Sequence, residues 1–530
     1  MCVAMRLSSR MVVMLFTSGV GMYSRIVFPV VLLCFGGGVA TRVLAQNQDV
    51  SPLGATDAKR QQSEFYDPQM VQTIHLTMLE SDRQRMLAAL PKCIYVPATF
   101  TWNGKTIKQV GVRFKGNSSA NPQQKHKRSY LIKFSKYEKS QRFLGMERIS
   151  MDNGVQFGSL FSEPIITEIL ADLGQDIHRC NYAKLFLNDQ YQGVYVNVER
   201  IDESFLERHF PGRTGGLWKN DTGGPGGDLR FIGDDPKRYR QAFEPKNKVA
   251  EADEALQELV TLIQRINRVP DREIQPTLER TLQLEPFLKT TAVMLLSGAF
   301  DQLTGWGPHN YYLYHEASVG KWHYLPWDLD VGFCEVAFGR VYVLEDWDAA
   351  WPAPAGVGNP LLERVMSNPN LLKQYRQYAQ EILETHFEPT RLCSLVDAKY
   401  ALIRNDLKDD PFPHRRATVP GDQNYDDIVA SIKQFIRKRY DRAKKQLESP
   451  GPRPQPRLRL ASNEASAAIM QRLQKAVRKA EGIQRQLHEI HKTMQKIQQL
   501  LQQKKYAEAE KWIEVMERLT EGKPAEPPTE

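Results

Sequence analysis

The sequence is poor in cysteine and lacks the spacings by which cysteine marks a disulfide scaffold or a zinc site. Six cysteines occur in 530 residues, far below the density of small disulfide-stabilised proteins. The four that follow residue 45 form no C-x-x-C pair, which disfavours a cysteine zinc site. Hydrophobic residues make up 41% and charged residues 25% of the chain. That balance excludes a wholly disordered chain, a collagen-like fibre and a polytopic membrane protein.

A strong excess of one charge is also missing. Lys and Arg total 71 against 62 Asp and Glu, a net charge of +9. Spread over the whole chain, this mild basic excess permits an anionic ligand but predicts no nucleic-acid partner. The patterns G-x-x-x-x-G-K-[ST] and G-x-G-x-x-G are both absent. The chain therefore lacks the common glycine-rich signatures of phosphate binding.

The first 45 residues have the layout of a secretory signal peptide. An apolar stretch over 26–40 follows Arg25, and Val43-Leu44-Ala45 forms a small-residue cleavage pattern. Because the stretch is short and contains three glycines, it is a poor membrane-spanning helix. An N-terminal membrane anchor is the alternative, and the long lead-in favours translation from Met22. We predict an exported protein (periplasmic, cell-surface or extracellular) with no integral membrane domain after cleavage.

Beyond the signal, a strand-rich part precedes a helical part. The predicted divisions are a flexible lead (46–65), a sheet-rich lobe (66–202), a helical lobe (203–448), a proline-rich linker (449–463), a helical hairpin or coiled coil (464–521) and a tail (522–530). Alternating apolar residues predict strands over 110–115, 130–134, 183–187 and 191–198, with a turn at Asn188-Asp189. Helical spacing predicts helices over 159–173, 255–266, 284–296, 371–385 and 428–447. The fold class is therefore α+β.

Two amphipathic helices are predicted after the linker. Apolar residues step by three and four from Ile469 to Leu501, which is a heptad pattern. A polar break over 502–505 precedes a second helix over 506–519. The short break favours an antiparallel hairpin or a coiled-coil dimer, through which the chain could self-associate. A solvated helical spacer is the alternative.

A predicted β-hairpin in the helical part brings three oxygen-bearing side chains together. Its strands cover 311–314 and 322–325, turned at Val319-Gly320, so Asn310 and Asp328 flank the same end. Asp301 lies in the preceding loop. Carboxylate and amide oxygens suit Mg²⁺ or Mn²⁺, and a carboxylate off the metal could orient or deprotonate a hydroxyl. The alternative is that these residues only cap turns.

A second candidate site is basic. The strand that carries Arg113 and Lys115 runs into a polar turn at Gly116, and such turns present N–H groups to anions. Lys133 lies on another predicted strand of the same part. Cations that face a carboxylate–metal site are what a nucleoside triphosphate needs. These lysines could equally be ordinary surface residues, and the basic tract 125–128 could steer acidic substrates or simply be solvated.

Several segments, in order, resemble the CotH kinase family, named for a spore-coat protein. They are VGVRFKGNSS (110–119), FSEPIITEILADLG (161–174), YQGVYVNVERID (191–202), GGLWKND (215–221), FDQLTGWGPHNYYLYH (300–315), GKWHYLPWDLDVGF (320–333) and GNPLLERV (358–365). The resemblance covers about residues 66–447 and leaves out the helical tail. It implies an atypical protein-kinase-like fold of two lobes, which transfers phosphate from ATP to Ser or Thr hydroxyls of a protein with Mg²⁺ or Mn²⁺.

The resemblance also implies roles at the metal end of the site. Asp301 resembles the catalytic-loop aspartate and Asn310 the metal-binding asparagine of kinases. Asp328 resembles the aspartate of the D-F-G element that holds the metal, with Asp330 as a second. The chain departs from ordinary protein kinases in having no H-R-D or D-F-G triplet and in the nine-residue step from Asp301 to Asn310.

At the nucleotide end the implied roles are less specific. Lys133 or Lys115 would contact the phosphates, with Arg113 beside them among the cofactor-binding residues. Glu163 or Glu168 on the predicted helix would pair with that lysine, and Glu199 would lie near the adenine pocket where the lobes join.

Three hypotheses follow for function. The first is an exported protein kinase that phosphorylates Ser or Thr of a secreted or surface protein. The second is a non-catalytic envelope scaffold or adhesin, motivated by the scarcity of ATP outside the cytoplasm. The third is another nucleotidyl or phosphate chemistry on the same fold, since a fold does not determine a reaction.

Overall fold

The computed structural model describes residues 55–154, 159–212, 214–221, 223–305, 307–412, 416–455, 487–503 and 505–520. The predicted signal peptide, the start of the lead, most of the heptad region and the tail lie outside these residues. In the described residues no helix is both long and apolar enough to cross a membrane. Cys93, Cys180, Cys334 and Cys393 are not joined in disulfides.

The strands of the described residues fall into a first group before residue 200 and a second group after it. They are β1 (Val71–Thr77), β2 (Val96–Trp102), β3 (Lys105–Lys115), β4 (Ser129–Lys133), β5 (Arg148–Asp152), β6 (Cys180–Leu187), β7 (Gln190–Glu199), β8 (Gly215–Asn220), β9 (Glu244–Pro245), β10 (Tyr311–Glu316), β11 (Lys321–Pro326), β12 (Val336–Ala337) and β13 (Val341–Tyr342).

The described residues form five α-helices before residue 250 and ten after it. They are α1 (Ala55–Phe65), α2 (Glu80–Ala88), α3 (Asn117–Ala120), α4 (Ser162–Asp172), α5 (Glu203–His209), α6 (Asp253–Arg268), α7 (Asp271–Thr281), α8 (Leu284–Ser297), α9 (Val343–Asp346), α10 (Pro360–Ser367), α11 (Pro369–Thr385), α12 (Pro389–Leu407), α13 (Tyr425–Glu448), α14 (Leu487–Gln502) and α15 (Tyr506–Thr520). The predicted α+β composition is confirmed.

The first seven strands close into a barrel in the order β1-β2-β3-β4-β5-β7-β6. Neighbours are antiparallel except β1 and β6, which pair in parallel and close the barrel. As the alternation predicts, Val110, Val112 and Phe114 of β3 are buried in one apolar core. Asn188 and Asp189 both have positive φ, the conformation of the two-residue turns that suit the twist of a hairpin. All four predicted strands of this part are present.

The second part of the chain holds a four-stranded sheet as well as helices. Its order is β11-β10-β8-β9, so the predicted hairpin of β10 and β11 is present but has two further strands beside it. Sequence reasoning missed β8 and β9, because β9 has only two residues and β8 carries no alternation of buried and exposed side chains. Helix α8 packs against this sheet and is buried along most of its length.

Helix α1 corrects the prediction of a flexible lead for residues 55–65, the part of that segment that the structure describes. Its last residue, Phe65, is fully buried and meets the rings of Trp102 and Phe143 edge to edge. Gln62 donates to the main-chain oxygen of Leu144 and accepts from Arg179. The polar composition of this segment therefore reflects an amphipathic helix that docks on the barrel through one face.

Lys127 and Arg128 of the basic tract 125–128 make contacts within the protein, which corrects the suggested role of this tract in steering substrates. Lys127 is buried and pairs with buried Asp410 at 2.6 Å. Arg128 donates to the main-chain oxygens of Ser119, Asn121 and Gln124 and so fixes the turn that follows β3. Because Lys127 and Asp410 are far apart in sequence, their pair ties the barrel to the segment after α12.

Helices α14 and α15 pack against each other. Ile497 of α14 and Ile513 and Met516 of α15 are buried in a small apolar core. The predicted break and second helix are confirmed in the described residues, whereas the predicted coiled coil and self-association stay predictions.

Candidate active site

The end of the β10–β11 hairpin brings the predicted oxygen-bearing residues together. Register pairs Tyr311 with Pro326, which leaves Asn310 and Asp328 just beyond the same end. The Asn310 amide donates to the main-chain oxygen of Asp301 at 3.0 Å and to its carboxylate at 3.2 Å. The local hairpin geometry thus assembles a loop aspartate, an amide and a strand-end aspartate, as the sequence predicts.

Two of these residues have an unfavourable main-chain conformation. Asn310 and Asp328 each have φ of 59°, the left-handed region that residues other than glycine rarely adopt, although Asn and Asp tolerate it best. Trp327 donates its N–H to the oxygen of Asn310, and Gln302 donates to the oxygens of Trp327 and Asp328. Such local strain often accompanies functional sites.

Carboxylates concentrate around Asp328. Burial, followed by the charges of Asp152 and Glu163, raises the pKa of Asp328 to about 6, against the opposing effect of Lys115 and Lys219. Burial and Asp328 itself raise the pKa of Asp330 well above its ordinary value, with Glu163, Asp301 and Asp152 adding to the effect. Burial and the neighbouring carboxylates therefore both oppose ionisation of Asp328 and Asp330.

The described residues contain no group of three His, Cys, Asp or Glu side chains placed to enclose a metal ion. Mg²⁺ rarely uses such an all-protein cage. It is usually bound by one or two carboxylates together with water and phosphate oxygens.

Three cationic side chains surround the ring of Trp327. The Arg200 guanidinium lies 4.4 Å, the Lys115 ammonium 5.4 Å and the Lys219 ammonium 5.7 Å from its centroid. Burial and Arg200 lower the pKa of Lys219, although Asp221 opposes them. Sequence reasoning missed Arg200 and Lys219 as site residues, yet both lie in quoted family segments, which could have signalled them.

The two lysines that the sequence could not rank are separated by the sheet register. Lys115 of β3 lies opposite Ser129 of β4, and Lys133 of β4 lies opposite Gly111 of β3. Because Gly111 precedes Lys115 by four residues, the two lysines lie on the same face of the sheet but about 14 Å apart along the strands. Burial opposes the charge of Lys115, but Asp152 and then Asp328 outweigh it and raise its pKa. Lys133 instead pairs with Glu147 at 2.8 Å. The structure brings Lys115 to the carboxylates and not Lys133.

Arg113 lies near Lys115 on the same strand, but its described contacts are elsewhere. Its guanidinium lies over the Tyr95 ring, 5.4 Å from the centroid, and donates to the main-chain oxygen of Phe114. These contacts do not include the carboxylates around Asp328.

The expected ion pair between a lysine and helix α4 differs from what the structure contains. Glu163 is buried and meets His178 at 3.0 Å, and Glu168 pairs with Lys399 at 2.5 Å. Lys115 pairs instead with Asp152, its ammonium 2.6 Å from both carboxylate oxygens. The lysine thus finds its partner on β5, because that strand ends beside it.

Glu199 lies at the end of β7 with its carboxylate already engaged. Arg179 and Arg208 each donate to it at 2.6 Å, and it is 2% exposed. Burial opposes its charge, but the two guanidinium groups outweigh burial and lower the pKa of Glu199. In this structure Glu199 anchors two arginines and does not face an open pocket with its carboxylate.

Asp301 is accessible and has a histidine neighbour that sequence reasoning missed. The His309 ring nitrogen lies 3.1 Å from the Asp301 carboxylate, and the two side chains are 26% and 30% exposed. Burial opposes protonation of His309, but Asp301 raises its pKa. The carboxylate that the resemblance assigns to the catalytic loop can therefore be reached from solvent.

These observations define the class of the protein. It is a mixed α+β protein with an acidic, cation-lined site at the end of a hairpin. Residues 112–442, more than half of the chain, match the family described as CotH kinase protein. The chain therefore belongs to the CotH family, as its motifs indicate.

Two curated relatives support this membership. The chain is 23% identical over 323 residues to inner spore coat protein H of Bacillus subtilis, an alignment that covers 60% of this chain and 82% of the relative. It is 22% identical over 286 residues to spore coat protein homolog 1 of Rhizopus delemar, covering 51% of this chain and 44% of that longer protein.

Proposed function

We propose that this protein is an exported, metal-dependent protein kinase, which transfers the γ-phosphate of ATP to Ser or Thr hydroxyls of a secreted or surface protein. The observation that supports it is the convergence of Asp301, Asn310 and Asp328 with Lys115 and Lys219 at one end of the β10–β11 hairpin. Kinase catalysis needs little covalent chemistry from the protein and depends on positioning and charge stabilisation, which this set of groups can provide.

The residues present fit a divalent cation and a triphosphate. Burial and neighbouring carboxylates raise the pKa values of Asp328 and Asp330, so a bound cation would favour their ionised forms. Asp328, Asn310 and Asp330 would hold Mg²⁺ or Mn²⁺, and Lys115, Lys219 and Arg200 would face phosphate oxygens. The cation, when bound, offsets negative charge on the phosphates.

The chain's own residues divide the work of the transfer. Asp301 orients the acceptor hydroxyl and accepts its proton, for which its solvent-accessible carboxylate is suited. Asn310 donates to Asp301 and so fixes that carboxylate. Lys115 and Lys219 stabilise charge that develops on the transferred group. No roles are proposed for Lys133 and Arg113, since their described contacts lie elsewhere.

The same proposal covers the two-lobed fold, the export of the protein and its self-association. The barrel of β1–β7 would be the first lobe of a kinase-like fold and the following sheet and helices the second, with the segment near Glu199 between them. Export is proposed from the predicted signal peptide, and the spore-coat names of both relatives support a surface location. The pair of α14 and α15 would mediate self-association as a coiled coil.

The test is phosphate transfer by the protein from Gln46 onwards, with γ-labelled ATP, Mg²⁺ or Mn²⁺ and a serine-rich acceptor. Asp301→Ala and Asp328→Ala should each lower transfer by at least about 100-fold. Asp397→Ala, which removes an aspartate paired with Lys433 on the surface, serves as the control and should retain activity.

The outcomes separate the hypotheses. Label on the acceptor from the parent and the control, but from neither site variant, establishes the kinase and places its site. Nucleotide binding without transfer to protein favours another phosphate chemistry. No transfer and no rise in melting temperature with nucleotide refute the kinase and leave the surface scaffold.

A further inference from the structure

The contact between Lys115 and Asp152 is built entirely within the barrel. Lys115 ends β3 and Asp152 ends β5, with β4 between the two strands. The ammonium lies 2.6 Å from both carboxylate oxygens, and the Ser150 hydroxyl donates to the same carboxylate at 3.2 Å. The side chains are 15% and 13% exposed. Little solvent is therefore available to replace either partner.

The carboxylates of α4 are held by other groups. Glu163 is engaged with His178, and Glu168 with Lys399, whose ammonium also donates to the main-chain oxygen of Pro68. Among the described side chains, Asp152 is the carboxylate bonded to Lys115. After Asp152, the strongest attraction on Lys115 comes from Asp328. The Lys115 ammonium also lies 5.4 Å from the ring centroid of Trp327, the residue that directly precedes Asp328. Asp152 and Asp328 are therefore the two carboxylates that compete for the lysine.

We propose that Asp152 is the positioning residue for Lys115, and that it keeps this ammonium off Asp328. The inference rests on the proposed function, in which Lys115 contacts phosphates and Asp328 holds the cation. Without Asp152, Lys115 pairs with Asp328 and occupies the carboxylate that the cation needs. Because β3 and β5 belong to one closed sheet, the barrel fixes the position of the Lys115 ammonium, which then does not depend on the position of α4.

The kinetic test compares Asp152→Asn with two matched variants. Asp152→Asn should lower kcat by at least about tenfold, and Asp152→Glu, which keeps the charge, should recover part of it. Glu147→Gln breaks the neighbouring pair with Lys133 and should leave kcat within about twofold. In a Lys115→Met background the Asp152→Asn change should have no further effect, since a residue that acts through another is not additive with it.

A chemical readout tests the same inference without activity. Metal-free, nucleotide-free protein is acetylated with an N-hydroxysuccinimide ester, and labelling of each lysine is followed by peptide mass spectrometry. Asp152→Asn should raise the acetylation rate of Lys115 at least about threefold in an Asp328→Asn background, where no second carboxylate can take the ammonium. With Asp328 intact the rise should be much smaller, and Lys133 should be unchanged in both backgrounds. Glu147→Gln should instead raise the acetylation rate of Lys133 and leave that of Lys115 unchanged.

Two results overturn the inference. One is a Lys115 acetylation rate that responds to Asp152→Asn equally with Asp328 intact and with Asp328→Asn. The other is an Asp152→Asn effect on kcat that persists in the Lys115→Met background. If Asp152→Asn does not fold, Asp152→Glu is labelled instead, and the longer side chain should still alter Lys115 and not Lys133. Failure of the parent to bind nucleotide or transfer phosphate overturns the proposed function alone, and the labelling then decides the placement of Lys115.

Discussion

Replacing Asp328 by asparagine should make the metal-free protein more stable at neutral pH while it abolishes transfer. The side chain is partly buried among other carboxylates, and its pKa is raised from 3.8 to about 6. An uncharged amide of nearly the same shape avoids that unfavourable ionisation. Asparagine also tolerates the left-handed φ of 59° at this position. The substitution therefore removes a charge without adding main-chain strain.

The sign and size of the effect follow from proton linkage. The folded protein holds the Asp328 proton more tightly than the unfolded chain, so its stability falls as pH rises from about 4 to 6. The difference between a pKa of 3.8 and one of about 6 corresponds to ~3 kcal/mol once both states are ionised. Residual solvent at the site makes this an upper value. The Asp328→Asn variant should gain up to that amount over the parent at pH 7 and almost nothing at pH 4.

Urea unfolding in EDTA at pH 4, 5.5 and 7 measures this difference, with Asp397→Asn as the control at an exposed ion pair. The control should stay within about 1 kcal/mol of the parent at each pH. Adding Mg²⁺ and nucleotide should stabilise the parent and the control but not Asp328→Asn, because a ligand stabilises only the form that binds it. Parallel stability curves for the parent and Asp328→Asn between pH 4 and 7 would refute the reasoning.

Three further predictions concern the surrounding structure. Asp410→Asn should lower the free energy of unfolding by about 3–5 kcal/mol, because it leaves Lys127 buried without its charge partner; a loss below about 1 kcal/mol in urea unfolding contradicts this. Arg416→Lys should lower kcat about tenfold, since the buried guanidinium holds the main-chain oxygens of 332–333 just beyond the site; an unchanged kcat in steady-state assays contradicts it. Ile513→Ala should speed tryptic cleavage within 487–520 by opening the α14–α15 core; unchanged cleavage on a digestion time course contradicts it.

The parts of the fold that the sequence predicts are those governed by local pattern. Strand β7 follows from its Val- and Tyr-rich sequence, and its turn at Asn188-Asp189 follows from residues that tolerate positive φ. Helix α4 follows from its apolar spacing and from Gly174, which has φ of 71° beyond its end. These features depend on neighbours within one or two turns of chain, so one sequence contains the information.

Closure of the barrel lies beyond such reasoning. Strand β1 pairs in parallel with β6, which joins Val71 to Tyr182 and Leu76 to Leu187. More than 100 residues separate these partners, and many alternative pairings share the same apolar alternation. Strand β5 was missed for a related reason, because its five residues are too few to show a period. The strand that supplies Asp152 was therefore absent from the predicted site.

The residues of the candidate site likewise fall into those that local pattern predicts and those that only long-range strand pairing brings together. Asp301, Asn310 and Asp328 were predictable together because a hairpin returns the chain to its starting end. Lys115 and Lys133 have equivalent sequence contexts, and only the register of β3 against β4 separates them by distance. Lys219, Arg200 and Asp152 reach the site from strands that meet only in the folded barrel and sheet, and their roles could not be read from spacing.

The balance of charge at the site argues for a ligand. Asp152 and Glu163 disfavour ionisation of Asp328, and Asp330 is disfavoured in turn by Asp328, Glu163, Asp301 and Asp152, in both cases together with burial. Partly buried acids that repel each other lower the stability of a fold, and a scaffold has no physical need for them. A cation that binds these acids relieves the repulsion. Its binding free energy then adds to the stability of the fold, so metal and nucleotide would raise the melting temperature of a protein that these acids otherwise weaken.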